Sequence, residues 1–177
     1  TKQITMGQIK KLQTDIQISN NQFLKTYNPA NCLKNPPVKT IQEAFIDKKS
    51  PTLAGVQRQN GQNIASGMIK TWLIYLNEKL NPKRPMTEDQ IFLGSDLILQ
   101  DYYMLRFADL TVLFRNIIKG KYGSLYESLT IDKLLNLFEK YFEERCNLSE
   151  THNSSKSIEH RQNMDELGTE RISKSRR

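Results

Sequence analysis

The sequence contains few of the residues on which catalytic and metal sites depend. It has two cysteines, two histidines and one tryptophan among 177 residues. The four soft or imidazole ligands, Cys32, Cys146, His152 and His160, have a spacing that matches no zinc-binding pattern. Nucleophilic catalysis needs a serine or cysteine held against a histidine base, yet both histidines lie in a polar C-terminal segment. The sequence therefore predicts no metal site, no cofactor and no catalytic triad, and a protein that is not an enzyme.

Long apolar runs are absent as well, so the sequence predicts neither a signal peptide nor a membrane-spanning helix. Two cysteines far apart in sequence provide no disulfide framework, and we therefore expect a reducing, cytoplasmic location. Phosphate-binding loops need glycines ahead of a helix, with Lys and Ser or Thr at set positions, and neither 60–67 nor 120–123 satisfies this requirement. The sequence thus predicts no nucleotide-binding fold of that type.

What the sequence does contain is an excess of basic residues. Its formal net charge is +7 at pH 7, and its isoelectric point is about 9.4. Residues 1–50 hold eight lysines, including Lys10 and Lys11, against three acidic residues. One interpretation is a basic arm that follows the phosphates of a nucleic acid. The other is a polar segment that only keeps the chain solvated.

Apolar residues recur at helical spacing between residues 40 and 146, and no segment alternates as a β-strand does. Capping boxes at Thr40–Glu43 and Thr87–Gln90 start two helices, and Ser50-Pro51 is interpreted as an N-cap followed by proline at the first helical position. The spacing predicts helices at about 41–46, 51–60, 62–80, 88–102, 107–119 and 131–146. We therefore predict an all-α domain, a compact bundle of five to six helices.

The composition changes on either side of this domain. Residues 1–37 carry a weak amphipathic helix, with apolar residues at positions 6, 9, 12 and 16, and then a proline-containing linker. Residues 148–177 are polar, with too little apolar surface to offset the entropy of ordering. The predicted organisation is a basic N-terminal arm and linker (1–37), a helical domain (38–147) and a mobile, disordered tail (148–177).

The segment from 107 to 129 combines a helix with a turn that is rich in cations and aromatic rings. An apolar stripe predicts the helix, and Gly120 marks its end. Cations between aromatic rings can hold a nucleic-acid backbone and stack a base. The candidate surface consists of Arg115, Lys119, Lys121, Tyr122 and Tyr126, together with Lys10 and Lys11 of the arm.

The alternative interpretation of the same segment is structural. Gly120 would end the helix, Lys119 would offset the negative end of the helix dipole, and the rings of Tyr122 and Tyr126 would pack against the next helix. The two interpretations are compatible, because a tyrosine can bury its ring and leave its hydroxyl at a surface.

Four short motifs lie within residues 50–146: Pro85-Met86-Thr87-Glu88-Asp89-Gln90-Ile91, Ala108-Asp109-Leu110, Gly120-Lys121-Tyr122-Gly123 and Tyr141-Phe142-Glu143-Glu144-Arg145. This part of the chain resembles a family of uncharacterised small helical proteins from phages and integrated mobile elements of Bacteroidota. The resemblance implies no established activity. It implies a genetic setting in which small basic helical proteins assist replication, as helicase loaders or initiation adaptors, or regulate other genes.

These features lead to two functional hypotheses. The first is a non-enzymatic, nucleic-acid-associated accessory protein of a phage or mobile element, for instance a replication or helicase-loading adaptor, which grips phosphates through the arm and the region 115–126. The second is a protein-interaction or structural component, such as a virion or assembly protein. In that case the same surface contacts another phage or host protein and binds no nucleic acid. An enzyme would require a deep polar pocket that holds two or more of the acidic residues between 88 and 144.

Overall fold

The structure, a computed structural model, describes residues 20–174 and, among their side chains, those up to residue 152. Residues 20–26 are helical and are called α1. Seven further helices follow within the described residues: α2 (Pro29–Lys34), α3 (Ile41–Ile46), α4 (Leu53–Asn60), α5 (Gln62–Leu80), α6 (Glu88–Asp101), α7 (Phe107–Ile118) and α8 (Ile131–Lys174). Because no strand occurs among residues 20–174, the all-α prediction is confirmed, with seven helices after α1 rather than five to six.

Both predicted capping boxes are confirmed. Thr40 Oγ1 accepts a hydrogen bond from the backbone N–H of Glu43 at 3.2 Å, and the Glu43 carboxylate accepts from the N–H of Thr40 at 3.3 Å. Thr87 and Gln90 form the same pair at the start of α6. These signals are reliable because each bond closes within one helical turn and satisfies N–H groups that have no partner inside the helix.

The predicted start of α4 is wrong. Its N-cap is Thr52, whose Oγ1 accepts from the N–H of Gly55 at 3.0 Å, rather than Ser50. Ser50 instead serves another helix, because its Oγ accepts from the N–H of Ala108 at 2.9 Å. A tertiary hydrogen bond to α7 therefore occupies the hydroxyl of Ser50, which the local sequence pattern assigns to the N-cap of α4.

The linker predicted across residues 27–37 contains a helix, which corrects that prediction. Asn28 is the N-cap of α2, its side chain accepts from the N–H of Ala30 at 2.9 Å, and Pro29 lies in the first turn. An Asn-Pro pair is typical of a turn, but it also starts a helix, since proline is tolerated where the N–H has no helical partner. The carbonyl of Tyr27 accepts from Nε1 of Trp72 at 3.0 Å, so this segment packs on the helices that follow it.

The last helix is predicted to end near Cys146, but α8 continues to Lys174. Residues 147–174 contain no proline and a single glycine, Gly168, so nothing in the backbone chemistry stops the helix. The low apolar content of this segment limits how much surface it can bury against the core, but it does not prevent the backbone from being helical. The predicted limits of the domain, 38–147, stay a prediction, and the helix predicted around residues 6–16 lies outside the described residues.

A series of aromatic rings joins three helices in the core. Trp72 of α5 is fully buried and stands edge-on to Phe114 of α7, with 5.1 Å between the ring centroids. Phe114 in turn lies 6.3 Å from Phe138 of α8. Tyr27 adds the N-terminal segment to this series, 5.1 Å from the ring of Phe107. Such pairs contribute beyond the area that they bury.

A buried ion pair also joins α7 to α8. Asp109 is fully buried, and its Oδ1 accepts from the hydroxyl of Tyr141 at 2.9 Å and from Nε of Arg145 at 3.0 Å. Its Oδ2 accepts from the backbone N–H of Arg106 at 2.8 Å. Burial raises the pKa of Tyr141, and the charge of Asp109 raises it further, so the hydroxyl remains a donor. Asp109, Tyr141 and Arg145 belong to two of the motifs that carry the family resemblance, and here they have a structural role.

Candidate nucleic-acid interface

The turn after α7 depends on two glycines. Lys119 is the C-cap residue, and Gly120 and Gly123 adopt φ values of 75° and 100°, a region that side chains disfavour. The N–H of Gly120 donates to the carbonyl of Ile117 at 2.9 Å, and the N–H of Lys121 donates to the carbonyl of Asn116 at 2.9 Å. These bonds satisfy the last carbonyls of α7 and turn the chain sharply. Gly120 and Lys119 therefore have the helix-ending positions that the structural interpretation assigns to them.

Two loops run side by side at this end of the molecule. The N–H of Lys83 donates to the carbonyl of Tyr126 at 2.8 Å, and the N–H of Leu129 donates to the carbonyl of Arg84 at 3.0 Å. Between the ends of α5 and α7 and these loops lies an open depression of about 360 Å³, which we call the α5–α7 cleft. Its lining residues are Leu80, Ile117, Ile118, Lys119, Gly120, Gly123, Ser124, Leu125 and Tyr126.

Lys119 and Tyr126 lie in this one cleft, and the structure adds a cation that the sequence pattern does not reveal. Tyr126 is 58% exposed, and Nζ of Lys83 lies 5.0 Å from the centre of its ring. The same Nζ donates to Oε1 of Glu127 at 2.8 Å. Lys83 follows α5 and Tyr126 follows α7, so no local spacing in the sequence relates the two. Only the pairing of the two loops brings them together.

Lys121 and Tyr122 turn towards α8 instead of the cleft. Nζ of Lys121 donates to Oε2 of Glu144 at 2.6 Å, and the Lys121 ammonium lies 5.1 Å from the ring centre of Tyr122. Tyr122 is half-buried, and burial together with the charge of Glu144 raises the pKa of its hydroxyl. Within the described part of the chain this buried hydroxyl has no hydrogen-bond partner. The Tyr122 ring packs against the core, as the structural interpretation predicts for it, whereas the Tyr126 ring is exposed and does not follow that interpretation.

The remaining candidate residues are dispersed. Arg115 is half-buried in the last turn of α7, and Lys10 and Lys11 lie outside the described residues. The structure thus divides the candidate surface into a cleft pair, Lys119 and Tyr126, and a pair against α8.

Lys83 beside the cleft and Lys121 against α8 each have an acidic partner, but these ion pairs are weak. The side chains of Lys83 and Glu127 are 55% and 64% exposed, and those of Lys121 and Glu144 are 45% and 38% exposed. Exposed ion pairs contribute about 0–1 kcal/mol and are screened by salt. Lys119 takes part in no ion pair among the described residues. A phosphate can therefore compete for these ammonium groups at low cost.

Grouped metal ligands and acid-lined depressions are sparse at the described surface. Among them, no three His, Cys, Asp or Glu side chains are grouped so that they could hold a metal ion. Four surface depressions, including the cleft, each contain at most one acidic residue. No helix in residues 20–174 combines the length and the apolar character needed to cross a membrane.

Comparison with known proteins gives no match to this chain, whether with protein-family models, with curated proteins or with solved structures. The resemblance to a family from phages and mobile elements therefore stays a prediction.

Proposed function

We propose that this protein is a non-enzymatic, nucleic-acid-associated accessory protein that contacts a single strand through the α5–α7 cleft. The observation that carries the proposal is the position of Lys119 and Tyr126 in one open cleft, with the ammonium of Lys83 5.0 Å from the centre of the Tyr126 ring. An exposed tyrosine ring offers a face on which a base can stack, and the neighbouring ammonium groups can contact the phosphates. The net charge of +7 favours the approach of a polyanion.

The burial of α7 rules out this helix as a recognition helix for a duplex, and the neighbouring cleft offers a ring and cations instead. A helix that enters the major groove must present polar side chains to the base edges. All residues of α7 from Phe107 to Phe114 are buried in the core, so this helix has no such face. Contact through phosphates and stacking is sequence-tolerant, which suits a replication or helicase-loading adaptor. The phage or mobile-element setting of that role rests on the sequence resemblance alone.

A second candidate function is an interaction with another protein at the same cleft. The observation that favours it is the exposure of Ile118, which is 41% accessible beside Tyr126. An apolar residue next to an aromatic ring and cations is also a common composition for a protein interface. In this case the cleft would bind a phage or host protein, and no nucleic acid.

Fluorescence anisotropy of labelled single- and double-stranded oligonucleotides, measured from about 50 to 200 mM salt, tests the proposal. Each phosphate contact on a single strand contributes about 0.7 to the slope of log K against log salt, so replacing both Lys83 and Lys119 by Glu should lower that slope by about 1.4 or more. Lys70→Glu is the matched control for each single variant, Lys83→Glu and Lys119→Glu, because all three change the net charge by the same amount and Lys70 lies outside the cleft, 3.7 Å from the ring centre of Phe92. Failure of the wild-type protein to bind either oligonucleotide at the lowest salt would favour the protein-interaction candidate.

A further inference from the structure

A second cavity, far along α7 from the cleft, lies beside the N-terminal helices. It has a volume of about 380 Å³ and is formed by the end of α1, by α2, by the loop between α3 and α4 and by the first turns of α7. We call it the N-terminal cavity. Tyr27, Cys32 and Phe107 contribute to its apolar wall. Cavities that bind small molecules have volumes of about 300–1,000 Å³ and mostly apolar walls, so this one suits a small ligand.

Carbonyl groups of the cavity wall accept hydrogen bonds from Trp72 of α5 and from Arg106, the N-cap residue of α7, and one further bond lies within α7. The Tyr27 carbonyl accepts from Nε1 of Trp72 at 3.0 Å. The Ser50 carbonyl accepts from Nη1 of Arg106 at 2.7 Å, and the hydroxyl of Thr111 donates to the Phe107 carbonyl at 2.9 Å. A cavity fixed in this way loses little freedom when a ligand binds.

Several polar groups at the cavity have unused hydrogen-bonding capacity. Among the described residues, the Tyr27 hydroxyl, the Asn35 amide and the Lys49 ammonium have no protein hydrogen-bond partner, and Asn35 and Lys49 are exposed. Asp47 accepts through Oδ1 from the backbone N–H of Lys49 at 2.9 Å, which leaves its Oδ2 available. Burial raises the pKa of Tyr27, and the charge of Asp47 raises it further, so the hydroxyl remains protonated and can donate.

We infer that the N-terminal cavity binds a nucleotide, with the base against the apolar wall and the phosphate at the rim. The apolar wall, the Asn35 amide, the Asp47 carboxylate and the Lys49 ammonium together suit a ligand with an apolar face, an edge that both donates and accepts hydrogen bonds, and a negative charge. A base meets the amide of Asn35 and the carboxylate of Asp47 with its edge, and a phosphate meets the ammonium of Lys49. Because the two carbonyl oxygens that flank the N3–H of thymine would lie against the Asp47 carboxylate, which only accepts, bases with an exocyclic amino group bind better than thymine.

The nucleotide can be free or can belong to a single strand. The inference for a free nucleotide is independent of the cleft, whereas the inference for a strand rests on the proposed function. A mononucleotide and a short oligonucleotide distinguish the two sources when they are tested side by side.

The test uses the full chain and its single tryptophan as a reporter. Trp72 gives one indole N–H signal in a ¹H–¹⁵N spectrum, and this N–H donates to Tyr27 at the cavity wall. We expect AMP, dCMP or an oligonucleotide to shift the signal saturably, and dTMP to bind more weakly. Lys49→Ala should weaken binding about tenfold, the loss of one charged hydrogen bond, whereas the matched Lys48→Ala should not.

A larger perturbation tests the location. Alkylating Cys32 in a Cys146→Ser background should fill the cavity and abolish the shift, and alkylating Cys146 in a Cys32→Ser background should leave it. A shift from the oligonucleotide alone supports the inference with a strand as the source. No shift from any ligand, or an equal shift after Cys32 is blocked, overturns it. Replacing Lys83 and Lys119 by Glu should leave the shift from a mononucleotide unchanged. The experiment can therefore contradict the proposed role of the α5–α7 cleft without contradicting nucleotide binding in the N-terminal cavity, and the reverse.

Discussion

The buried ion pair between α7 and α8 gives a stability prediction that the structure makes quantitative. Asp109 is fully buried and the side chain of Arg145 is 12% exposed, so Arg145→Ala leaves a carboxylate in the core whose donors among the described residues are both uncharged, the Tyr141 hydroxyl and the Arg106 N–H. Removing one partner of a buried pair costs about 3–5 kcal/mol. A domain of this kind has a free energy of unfolding of about 5–15 kcal/mol, so this single change removes a large part of it.

The matched control breaks an exposed ion pair between the turn after α7 and the same helix, α8. Lys121→Ala removes the partner of Glu144 of α8, and because both side chains are substantially exposed we expect a loss of about 0–1 kcal/mol. Urea denaturation followed by far-ultraviolet circular dichroism measures both variants, with the slope against urea as a check on two-state behaviour. If Arg145→Ala and Lys121→Ala lower the free energy of unfolding equally, the assigned role of Asp109 is wrong.

Further predictions concern the glycines and the tyrosine of the core. Gly120→Ala should destabilise the protein by about 1 kcal/mol or more, because φ is 75° at this position. Gly67→Ala should instead stabilise it by up to about 1 kcal/mol, because Gly67 lies in a helix and nothing is within 4 Å of the added carbon. Thermal denaturation of the two variants measures both effects. Burial raises the pKa of Tyr141 above 10.0, the value in the unfolded chain, so the contribution of its neutral hydroxyl to the free energy of unfolding is fully present below pH 10. As the pH rises further, this contribution falls by about 1.4 kcal/mol per pH unit. Urea denaturation at alkaline pH should therefore show a shallower decline for Tyr141→Phe than for the wild-type protein, and an identical decline would contradict the burial of this hydroxyl.

Local signals in the sequence predict much of the fold because their bonds close over short stretches of chain. The boxes of Thr40 and Thr87 and the turn at Gly120 each depend on residues within a few positions. The same kind of signal is wrong at Ser50, where a distant N–H of Ala108 competes for the hydroxyl. The local sequence shows which hydrogen bonds a side chain is able to form, and the tertiary contacts determine which of them it forms.

The candidate site is less predictable for the same reason. The sequence identifies Lys119 and Tyr126 through their neighbourhood to the Gly120 turn, but Lys83 joins them only through the pairing of two loops. The N-terminal cavity is an extreme case, since Tyr27, Lys49 and Thr111 come from three separate parts of the chain. No spacing rule relates such residues, and their proximity follows from packing of the helices.

The most direct test of the proposed function compares Tyr126→Phe with Tyr126→Ala in binding to a labelled single-stranded oligonucleotide at low salt. Stacking of one base on an aromatic ring contributes about 1–3 kcal/mol, so the alanine variant should bind about 5- to 150-fold more weakly. The phenylalanine variant keeps the ring and should bind as the wild-type protein does. Equal affinity of all three proteins would contradict a role for Tyr126 as the stacking platform of the cleft.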